Sequence, residues 1–508
     1  MQPPDTRRLA VAVASGVAVT AGTFLVTGFT PRWVVVALAQ TVLLVMPDAL
    51  LAAGIQGLGS ASQPLLVVGA GALSVLLFGA LAFSGLRVGR VADRERAETV
   101  FLVGLLQALA AFLATVSPGA AAVGGALGGA TVGLAGRAAT GDVSRARRGV
   151  LRSAGVAAAA VGLASAGPLA RAVRDAGSGA DAEGEPVERD PVVERLLATA
   201  ARRSFDLAGA EPLVSESFYE VDKNAANPRV SPEEWSLRLD GAVAESVELD
   251  LAAITERPAE HRFATLRCVG DSLNGRKVDT ALWTGVPIAP LLDAAGVDEE
   301  GCCVMVRAAD GYYQAFPVEA LREGFLAYRM NGRPLPQGHG APVRALIPGH
   351  WGEINVKWIT EIEVLEEPAT GYWEKRGWHG TGPVATNAKL HHTEVRGGVV
   401  TVGGHAYAGT RGVSAVEVST DGGDTWTEAE LTERLPGPTP ADADPEAPGT
   451  VGGEAADAWR GWRHEFEADG EHEVVVRAVE ADGTVQSREE RDPFPRGAAG
   501  WVRETVRA

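Results

Sequence analysis

Long apolar runs dominate the first 170 residues, and short alternating apolar runs dominate the rest of the chain. A helix needs roughly 20 consecutive apolar residues to cross a bilayer, and within lipid it satisfies its own backbone polar groups. The runs predict five or six transmembrane helices, near residues 9–29, 33–56, 64–85, 98–117, 119–136 and 150–168. Both counts stay open, because Pro47 and Asp48 interrupt the second run and the fifth is rich in glycine.

Arginine placement predicts the orientation of these helices, since cytoplasmic connections carry an excess of basic residues. Two arginine clusters, at residues 87–96 and 137–152, are separated by two predicted helices, so we expect both on the cytoplasmic face. The last helix would then carry residues 171–508 outside. The run SRARRGVL at 144–151 is similar to a twin-arginine export signal. Arg7 and Arg8 fit this layout poorly if six helices are present.

The apolar region lacks the residues that electron or substrate transfer through the membrane would need. Residues 1–260 contain no histidine, and their only methionines are Met1 and Met46. A membrane haem of the b type needs axial ligands, usually histidine. Asp48 is the only Asp, Glu or Lys placed away from the ends of a predicted span, whereas transport pathways use intramembrane ionisable groups. We therefore predict an anchor rather than a transporter.

Charge and composition narrow the class of partner. The formal net charge is -18, most of it after residue 170, which argues against nucleic acid as a partner. Only five of the 46 basic residues are lysine. This acidic, lysine-poor composition resembles halophilic archaeal proteins, and a GC-rich genome is the alternative explanation.

Periodicity divides the polar part of the chain into three segments. A Gly, Glu and Asp-rich stretch within 171–204 predicts a linker that ends in a helix at 191–203. Short strands and helices within 205–388 predict a mixed α+β domain. Short strands with Asp-Gly and Gly-Gly turns within 389–508 predict an all-β, immunoglobulin-like sandwich, with an acidic insertion at 436–457.

The three cysteines give no disulfide framework. Cys302 and Cys303 lie in an apolar strand, where cysteine behaves as a small hydrophobic residue, and a redox role is the alternative. Cys268 follows Arg267 in a polar loop. A thiolate there can be a soft-metal ligand or a nucleophile, and the residue alone does not decide between them.

Several motifs in fixed order accompany Cys268. They are Phe218-Tyr219-Glu220, Thr265-Leu-Arg-Cys-Val-Gly270, Leu282-Trp-Thr-Gly-Val-Pro-Ile288, Met330-Asn-Gly-Arg-Pro-Leu-Pro-Gln-Gly-His-Gly-Ala-Pro-Val-Arg344 and Gly349-His-Trp-Gly-Glu-Ile-Asn-Val-Lys-Trp358. Together they resemble the molybdenum-cofactor domain of the sulfite oxidase family. The resemblance implies a sulfite-oxidase-type molybdopterin domain at 205–388 and a second, commonly dimer-forming domain at 389–508.

The resemblance also implies roles for individual residues. Cys268 would ligate molybdenum, Tyr312 would lie beside the oxo ligand, and Arg411 would reach the pocket from the second domain. The residues expected to hold molybdopterin are Tyr219, Glu220, Cys268, His339, Arg344, Asn355, Val356 and Lys357. Without the resemblance, Arg344 could be an ordinary ion-pair partner and His339 a turn residue. The adjacent Tyr313 leaves the register of Tyr312 open.

The sequence departs from the family where substrate anions bind. Arginines are expected a few residues after the cysteine and in an Ala-Arg-Trp run, but here Gly270-Asp271-Ser272-Leu273 and Ala281-Leu282-Trp283 stand instead. Losing such cations weakens oxyanion binding in a low-dielectric pocket. Arg411, Arg276 or Lys277 could substitute. Sulfite is therefore less expected as the substrate, and a neutral S-oxide or N-oxide is comparably plausible.

These observations predict a membrane-anchored molybdenum oxidoreductase with an extracytoplasmic catalytic part. It would move an oxygen atom to or from a small sulfur or nitrogen oxo compound. No haem or iron–sulfur spacing is present, so we expect an external one-electron carrier, a cytochrome or copper protein, and a homodimer through the C-terminal domain. The alternatives are a membrane-tethered binding or scaffold protein without turnover and a covalent cysteine enzyme.

Overall fold

The computed structural model describes residues 4–47, 50, 62–91, 95–136, 190–297, 301–444 and 453–507. The chain divides into two compact units, one of residues 1–182 with 222–229 and the other of residues 183–221 with 230–508. The predicted helix near 150–168, the arginine cluster at 137–152, the export-like run and most of the predicted linker lie outside the described residues.

The first unit is largely helical in the described part of residues 4–136, whereas its residues 222–229 form no helix. Its helices are Pro4–Thr27, Val34–Val45, Ser62–Val91, Arg96–Thr115 and Pro118–Gly136. Three segments are long and apolar enough to cross a membrane, namely Arg8–Thr27, Pro64–Val88 and Ala97–Thr115. Helix Val34–Val45 has 12 residues and ends before Pro47, and most of the rest of the run predicted near 33–56 lies outside the described residues.

These helices pack through small residues and expose apolar ones. A Cβ added to Gly16 would lie 2.3 Å from the carbonyl oxygen of Val75, so the two helix backbones meet closely. Phe101 and Leu113 keep 71% and 72% of their surface exposed. Close backbone contact inside and large apolar side chains outside are typical of helices surrounded by lipid.

The second unit begins with helix Pro191–Arg203, whose bounds match the prediction. The Asp190 side chain caps it by accepting a hydrogen bond from the Val192 N–H at 2.7 Å. Three further helices are Leu251–Thr255, Ala289–Ala295 and Val318–Arg322. The strands are β1 Ser236–Gly241, β2 Val247–Asp250, β3 Glu260–Arg267, β4 Val278–Pro287, β5 Cys303–Ala308, β6 Tyr313–Pro317, β7 Phe325–Met330, β8 Arg333–Pro334, β9 Arg344–Leu346, β10 Ile359–Leu365, β11 Asn387–Arg396, β12 Val399–Tyr407, β13 Val413–Ser419, β14 Thr427–Glu428, β15 Glu430–Leu431, β16 Thr439–Pro440, β17 Arg460–Glu467, β18 Glu471–Glu480 and β19 Val502–Arg507.

Two sheets and the short helices build an α+β domain from β1 to β10. One sheet has the order β2-β1-β10-β5-β6, and the other runs β16-β3-β4-β7-β8 with β9 beside β7. The β1 and β10 pair is parallel. A core containing Leu237, Leu292, Val306 and Ile362 lies under the first sheet. A second core, with Trp283 and Phe325, supports the sheet that carries Cys268 at the end of β3.

The C-terminal strands form two four-stranded sheets, β11-β12-β17-β15 and β14-β13-β18-β19. Valines from both sheets, among them Val402, Val416 and Val476, share one apolar core with Trp462. The predicted insertion is not wholly separate from the cofactor domain, because β16 pairs with β3 through Thr439 opposite His261.

Cys302 and Cys303 are joined by a disulfide in the structure. The interpretation of both as packed, free thiols is therefore wrong. Cys303 is buried, whereas Cys302 is exposed at the start of β5. Cys268 is the free cysteine among the described residues.

Candidate active site around Cys268

Cys268 begins the loop that joins β3 to β4. Arg267 pairs with Val278 at the end of the ladder, and the Cys268 N–H donates to the Lys277 carbonyl at 2.9 Å. The Asp271 N–H donates to the Cys268 carbonyl at 3.0 Å. The half-buried thiol therefore stands on a loop whose backbone is fixed on both sides. Burial raises its pKa, while the Lys277 ammonium lowers it.

A buried cluster of charged side chains supports this loop. We call it the brace, and its members are Arg267, Asp271 and Lys389. The Asp271 carboxylate accepts hydrogen bonds from Arg267 Nε at 3.1 Å and from the Lys277 N–H at 3.0 Å, and it also pairs with the Lys389 ammonium. The side chains of Arg267, Asp271 and Lys389 are fully buried. Asp271 stands where the family pattern would place a substrate-binding arginine, but its carboxylate serves this internal brace.

Tyr219 reaches the cysteine loop from the N-terminal segment. Its N–H donates to Asp279 Oδ2 at 2.7 Å. A Cβ added at Gly352 would lie 3.2 Å from the Tyr219 hydroxyl and 3.7 Å from Cys268 Cα, so the three residues meet at one point. Burial, with Cys268 and Asp279 as further causes, raises the pKa of Tyr219. The phenol therefore keeps its proton at neutral pH.

A cationic cluster with a neutral histidine lies beyond Phe218. The Phe218 ring stacks on Tyr219 and meets the His339 ring edge-on, 5.4 Å between centroids. Arg344 donates to the His339 carbonyl at 3.1 Å, and the Lys357 ammonium donates to the Gly338 carbonyl at 2.8 Å. Burial, then the neighbouring Arg344 and Lys357 cations, lowers the pKa of His339 to about 4.

Glu220 and Gly340 shape the edge of this cluster. Glu220 is exposed, and its carboxylate lies against Gly338, where an added Cβ would be 2.1 Å from Oε2. Gly340 has a φ of 113°, and its added Cβ would lie 3.0 Å from the Cβ atoms of both Arg344 and Lys357. Only glycine fits this turn without strain.

Asn355 and Val356 hold the shape of the segment after Gly352. The Asn355 side chain accepts from the Ile347 N–H at 2.7 Å and donates to the Trp351 carbonyl at 3.0 Å. Its carbonyl accepts from Arg344 at 3.0 Å. Val356 is buried in the main core. Both residues lie beside the predicted site, with their side chains engaged in the fold.

Tyr312 is the more inward of the two adjacent tyrosines. Its hydroxyl donates to the Glu353 carbonyl at 2.8 Å and to Gln314 Oε1 at 3.2 Å, and its ring packs against the main core. The Tyr313 hydroxyl instead meets the exposed Lys375 at 3.1 Å. This geometry favours Tyr312 as the residue that faces the site.

Arg411 is held by Glu480 of the C-terminal domain and by the segment that immediately precedes that domain. The guanidinium hydrogen bonds described for it go to Glu480 at 3.0 Å, to the Val384 carbonyl at 2.8 Å and to the Thr386 hydroxyl at 3.0 Å. Its loop does reach the cofactor domain, since a Cβ added to Gly349 would lie 2.9 Å from the Thr410 nitrogen. The contacts described join Arg411 to the edge of the site and not to Cys268.

A cavity of about 170 Å³ opens on another side of Tyr219. Arg276, Asp279, His391 and His405 contribute to its lining. Burial lowers the pKa of His391 to about 4, with the Arg276 and Lys389 cations as further causes. Arg276, one of the substitutes expected from the sequence, therefore lines a space adjoining Tyr219. The two histidines were missed, because their place in the C-terminal strands gives no local sign of a site.

Two family models match the chain after residue 223. Residues 224–373 match the oxidoreductase molybdopterin binding domain, and residues 383–492 match the Mo-co oxidoreductase dimerisation domain. Mitochondrial sulfite oxidase of Rattus norvegicus is 27% identical over 360 residues, which cover 59% of this chain and 63% of that protein. The chain belongs to the sulfite oxidase family of molybdopterin-dependent oxidoreductases.

Two further proteins similar to this sulfite oxidase family member carry other names. Nitrate reductase [NADPH] of Fusarium oxysporum is 25% identical over 376 residues, covering 60% of this chain and 41% of that protein. The sulfane dehydrogenase SoxCD of Paracoccus pantotrophus is 19% identical, with a TM-score of 0.47 over 64% of this chain and 91% of that one. The chain spans less than two thirds of the length of the rat and fungal relatives.

The donor set of the site fits the molybdopterin that the family uses. Cys268 offers a thiol to a soft metal. Arg344 and Lys357 offer cations to an anionic pterin and its phosphate. Gly340 and Gly352 leave space where a Cβ would lie in tight contact with neighbouring groups. Molybdopterin is thus the cofactor indicated for this domain.

Proposed function

We propose that this chain is a membrane-anchored molybdenum oxidoreductase that moves an oxygen atom to or from a small sulfur or nitrogen oxo compound. The observation that carries the proposal is the meeting of Cys268, Tyr219 and Gly352 at one point, next to the cations Arg344 and Lys357. The molybdopterin, when bound, supplies two-electron oxygen-atom chemistry. The sulfite oxidase and nitrate reductase relatives support this class of substrate.

The chain's own residues would hold and order the site. Cys268 would ligate the metal, and Arg344 and Lys357, with backbone groups of the segment from Asn355 to Lys357, would bind the anionic pterin. Neutral His339 would offer a hydrogen bond without adding charge, in keeping with its lowered pKa. Tyr312 would orient a proton at its hydroxyl beside the substrate.

The polar groups around the site favour a substrate of low charge. Asp271 is neutralised within the brace, and Arg411 is paired with Glu480. Arg276 remains as a cation that lines a cavity beside Tyr219. We therefore propose a neutral S-oxide or N-oxide ahead of sulfite, with Arg276 as the residue that would attract an anion if one binds.

Further parts of the proposal concern anchoring, assembly and domains. Three helices suited by length and composition to crossing a membrane support an anchor at 1–170. The match to a dimerisation domain supports a homodimer, for which an immunoglobulin-like packing of the sheets in 389–508 would supply the contact.

A linker at 171–204 would join the anchor to a catalytic domain at 205–388, which would lie outside the cytoplasm. An external cytochrome or copper protein would exchange electrons one at a time.

The test is the molybdenum content of the full chain, purified in detergent from a host that makes the cofactor. We expect about one molybdenum per wild-type chain and an altered molybdenum EPR signal in Cys268→Ser. Cys302→Ser leaves Cys268 in place and should keep the wild-type signal. Folded wild-type protein without molybdenum would overturn the proposal.

A second measurement separates an enzyme from a scaffold. Dimethyl sulfoxide, trimethylamine N-oxide and sulfite, each with a matched artificial electron donor or acceptor, would be screened for a change in the metal's oxidation state. We expect a response to at least one of the neutral oxides. Full metal content with no response to any substrate would favour the membrane-tethered binding protein, which the missing arginines also favour.

A further inference from the structure

Glu353 is a buried carboxyl group that the site described so far does not use. It follows Gly352, the residue that meets Cys268 and Tyr219, and is 6% exposed. A Cβ added to Gly380 would lie 2.0 Å from its Oε2, so the carboxyl is enclosed by backbone. A buried carboxyl group costs folding free energy unless it is neutral or well paired.

The neighbour of Glu353 is a second carboxyl group, that of Glu374. Burial raises the pKa of Glu353 to about 9, with Glu374 as the next cause and the Gly380 N–H acting in the opposite direction. Two adjacent carboxylates cannot both ionise cheaply, so one proton is retained between them. At neutral pH the pair holds a proton that it can exchange.

Hydrogen bonds connect Tyr312 to Glu374, the partly exposed member of this pair, through Gln314. The Tyr312 hydroxyl donates to Gln314 Oε1 at 3.2 Å, and it also donates to the backbone carbonyl of Glu353, not to its carboxyl group, at 2.8 Å. Gln314 Nε2 donates to both Glu374 oxygens at 2.6 Å. Gln314 is fully buried, Glu374 is partly exposed, and the next residue, Lys375, is exposed. A polar path therefore runs from Tyr312 to the protein surface.

We propose that Glu353 and Glu374 relay protons between the Cys268 site and solvent. The inference rests on the proposed function. Oxidation of a substrate X by oxygen-atom transfer follows X + H2O → XO + 2 H⁺ + 2 e⁻, with both electrons passing singly to the external one-electron carrier. Each proton passes to Glu353, then to Glu374 and to water. In the reductive direction, both protons enter by the same path and leave in the water formed.

The charged and titratable groups around the relay belong to three elements. Glu374 faces Glu353 from the turn Glu374–Arg376, Tyr312 faces it from the turn before β6, and Cys268 interacts with it from the loop after β3. Asp310 and Tyr372 act on Tyr312. Burial and these neighbouring groups raise the pKa of Tyr312, so its hydroxyl stays protonated. Tyr312 can therefore act as a hydrogen-bond donor at the end of the path that is nearest the Cys268 site.

The test compares Glu353→Gln, Glu374→Gln and Glu363→Gln in the full, cofactor-loaded chain. Glu363 pairs with Arg307 on the sheet surface and serves as the control. We expect kcat to fall roughly 100-fold in both relay variants, the lower end of the range for a lost proton-transfer group. KM and molybdenum content should change less than about twofold, and the solvent deuterium isotope effect should rise. A structural role alone would not raise the isotope effect.

A readout independent of turnover is the infrared C=O band of a protonated carboxylic acid. Asp457 also contributes to this band at pH 7, because its pKa is raised to about 7. We therefore expect the wild-type spectrum at pH 7 to contain one further component, beyond the carboxyl groups that both proteins share, and this component to be lost in Glu353→Gln. A wild type that turns over while both variants keep full kcat would overturn the relay and leave the proposed function intact. A metal-loaded wild type without turnover would overturn both. Retention of this component in both variants would show that the shared proton lies elsewhere.

Discussion

Arg267 and Asp271 form a fully buried ion pair, 3.1 Å between Nε and Oδ2, on either side of Cys268 in the chain. Lys389 joins the pair from β11, and burial together with Arg267 lowers its pKa to about 8. One carboxylate thus balances two cations behind the candidate metal ligand. Breaking such a group leaves charges in the interior that have lost their counter-ion.

Replacing Asp271 tests the importance of this brace. We expect Asp271→Asn to lower the free energy of unfolding by about 3–5 kcal/mol, because Arg267 and Lys389 would then face each other without a carboxylate. Urea unfolding and molybdenum content would both be measured. Asp293→Asn, which breaks a surface pair with Arg322, should cost about 0–1 kcal/mol. Equal losses in the two variants would contradict the buried role.

The contacts of Arg411 predict a structural effect of its removal rather than weaker substrate binding. In Arg411→Ala, the buried Glu480 carboxylate loses its cation, which should cost about 1–3 kcal/mol. The double variant with Glu480→Gln should recover part of that loss. KM should stay within about twofold for both an anionic and a neutral substrate. A rise in KM confined to the anionic substrate would mean that Arg411 leaves Glu480 and enters the pocket.

The Asp457 carboxyl group predicts a pH-dependent stability. Burial raises its pKa from 3.8 to about 7, and Oδ1 accepts from both the Tyr407 hydroxyl at 2.6 Å and the Gly349 N–H at 2.8 Å. Between pH 3.8 and about pH 7, the carboxyl group of Asp457 keeps its proton in the folded state and loses it in the unfolded state. Asp457 therefore makes the fold progressively less stable as pH rises from about 4 to about 7.

Asp457→Asn should remove this dependence, because Asn keeps the accepting oxygen and carries no charge. Relative to the wild type, we expect little change in the free energy of unfolding near pH 4 and a gain of roughly 2–4 kcal/mol near pH 8. Urea midpoints at both pH values provide the measurement, with Asp293→Asn as a surface control. A difference that does not grow with pH would contradict the raised pKa.

Gly311 and Gly340 both have a positive φ, but only Gly340 is crowded. Their alanine variants therefore distinguish the cost of backbone strain from the cost of crowding. Gly311 has a φ of 76° and nothing within 4 Å of an added Cβ, whereas Gly340 has a φ of 113° and is crowded by Arg344 and Lys357. Both alanine variants should lose about 1–2 kcal/mol from strain. Only Gly340→Ala should also lose molybdenum, because its methyl group would displace the cationic cluster. Equal metal retention in the two variants would argue against that cluster as the pterin site.

Much of the fold followed from the sequence. Helix Pro191–Arg203 was predicted to the residue, because Asp190 and Pro191 mark its start. The α+β and β-rich segments were evident from alternating apolar residues. The halophilic interpretation of the acidic composition remains a prediction. The helix predicted near 33–56 is described only in part, as Val34–Val45, and its full extent remains a prediction.

The features that were missed depend on contacts between distant parts of the chain. Asp271 and Lys389 are 118 residues apart, and Arg411 and Glu480 are 69 apart, so neither pair leaves a local pattern. Glu353 stands in a short 3-10 turn without periodicity. Its acidic side chain between Gly352 and Ile354 was the one available signal, and the family resemblance drew attention to its neighbours instead.

Arg267 also donates to the Ala385 carbonyl at 3.0 Å and to the Ala498 carbonyl at 3.3 Å. Ala498 is synthesised 231 residues after Arg267. We therefore expect the loop that carries Cys268 to make its full set of contacts only after the C-terminal sheets have been synthesised. If Cys268 ligates the metal as proposed, metal loading is expected to follow the folding of the second domain.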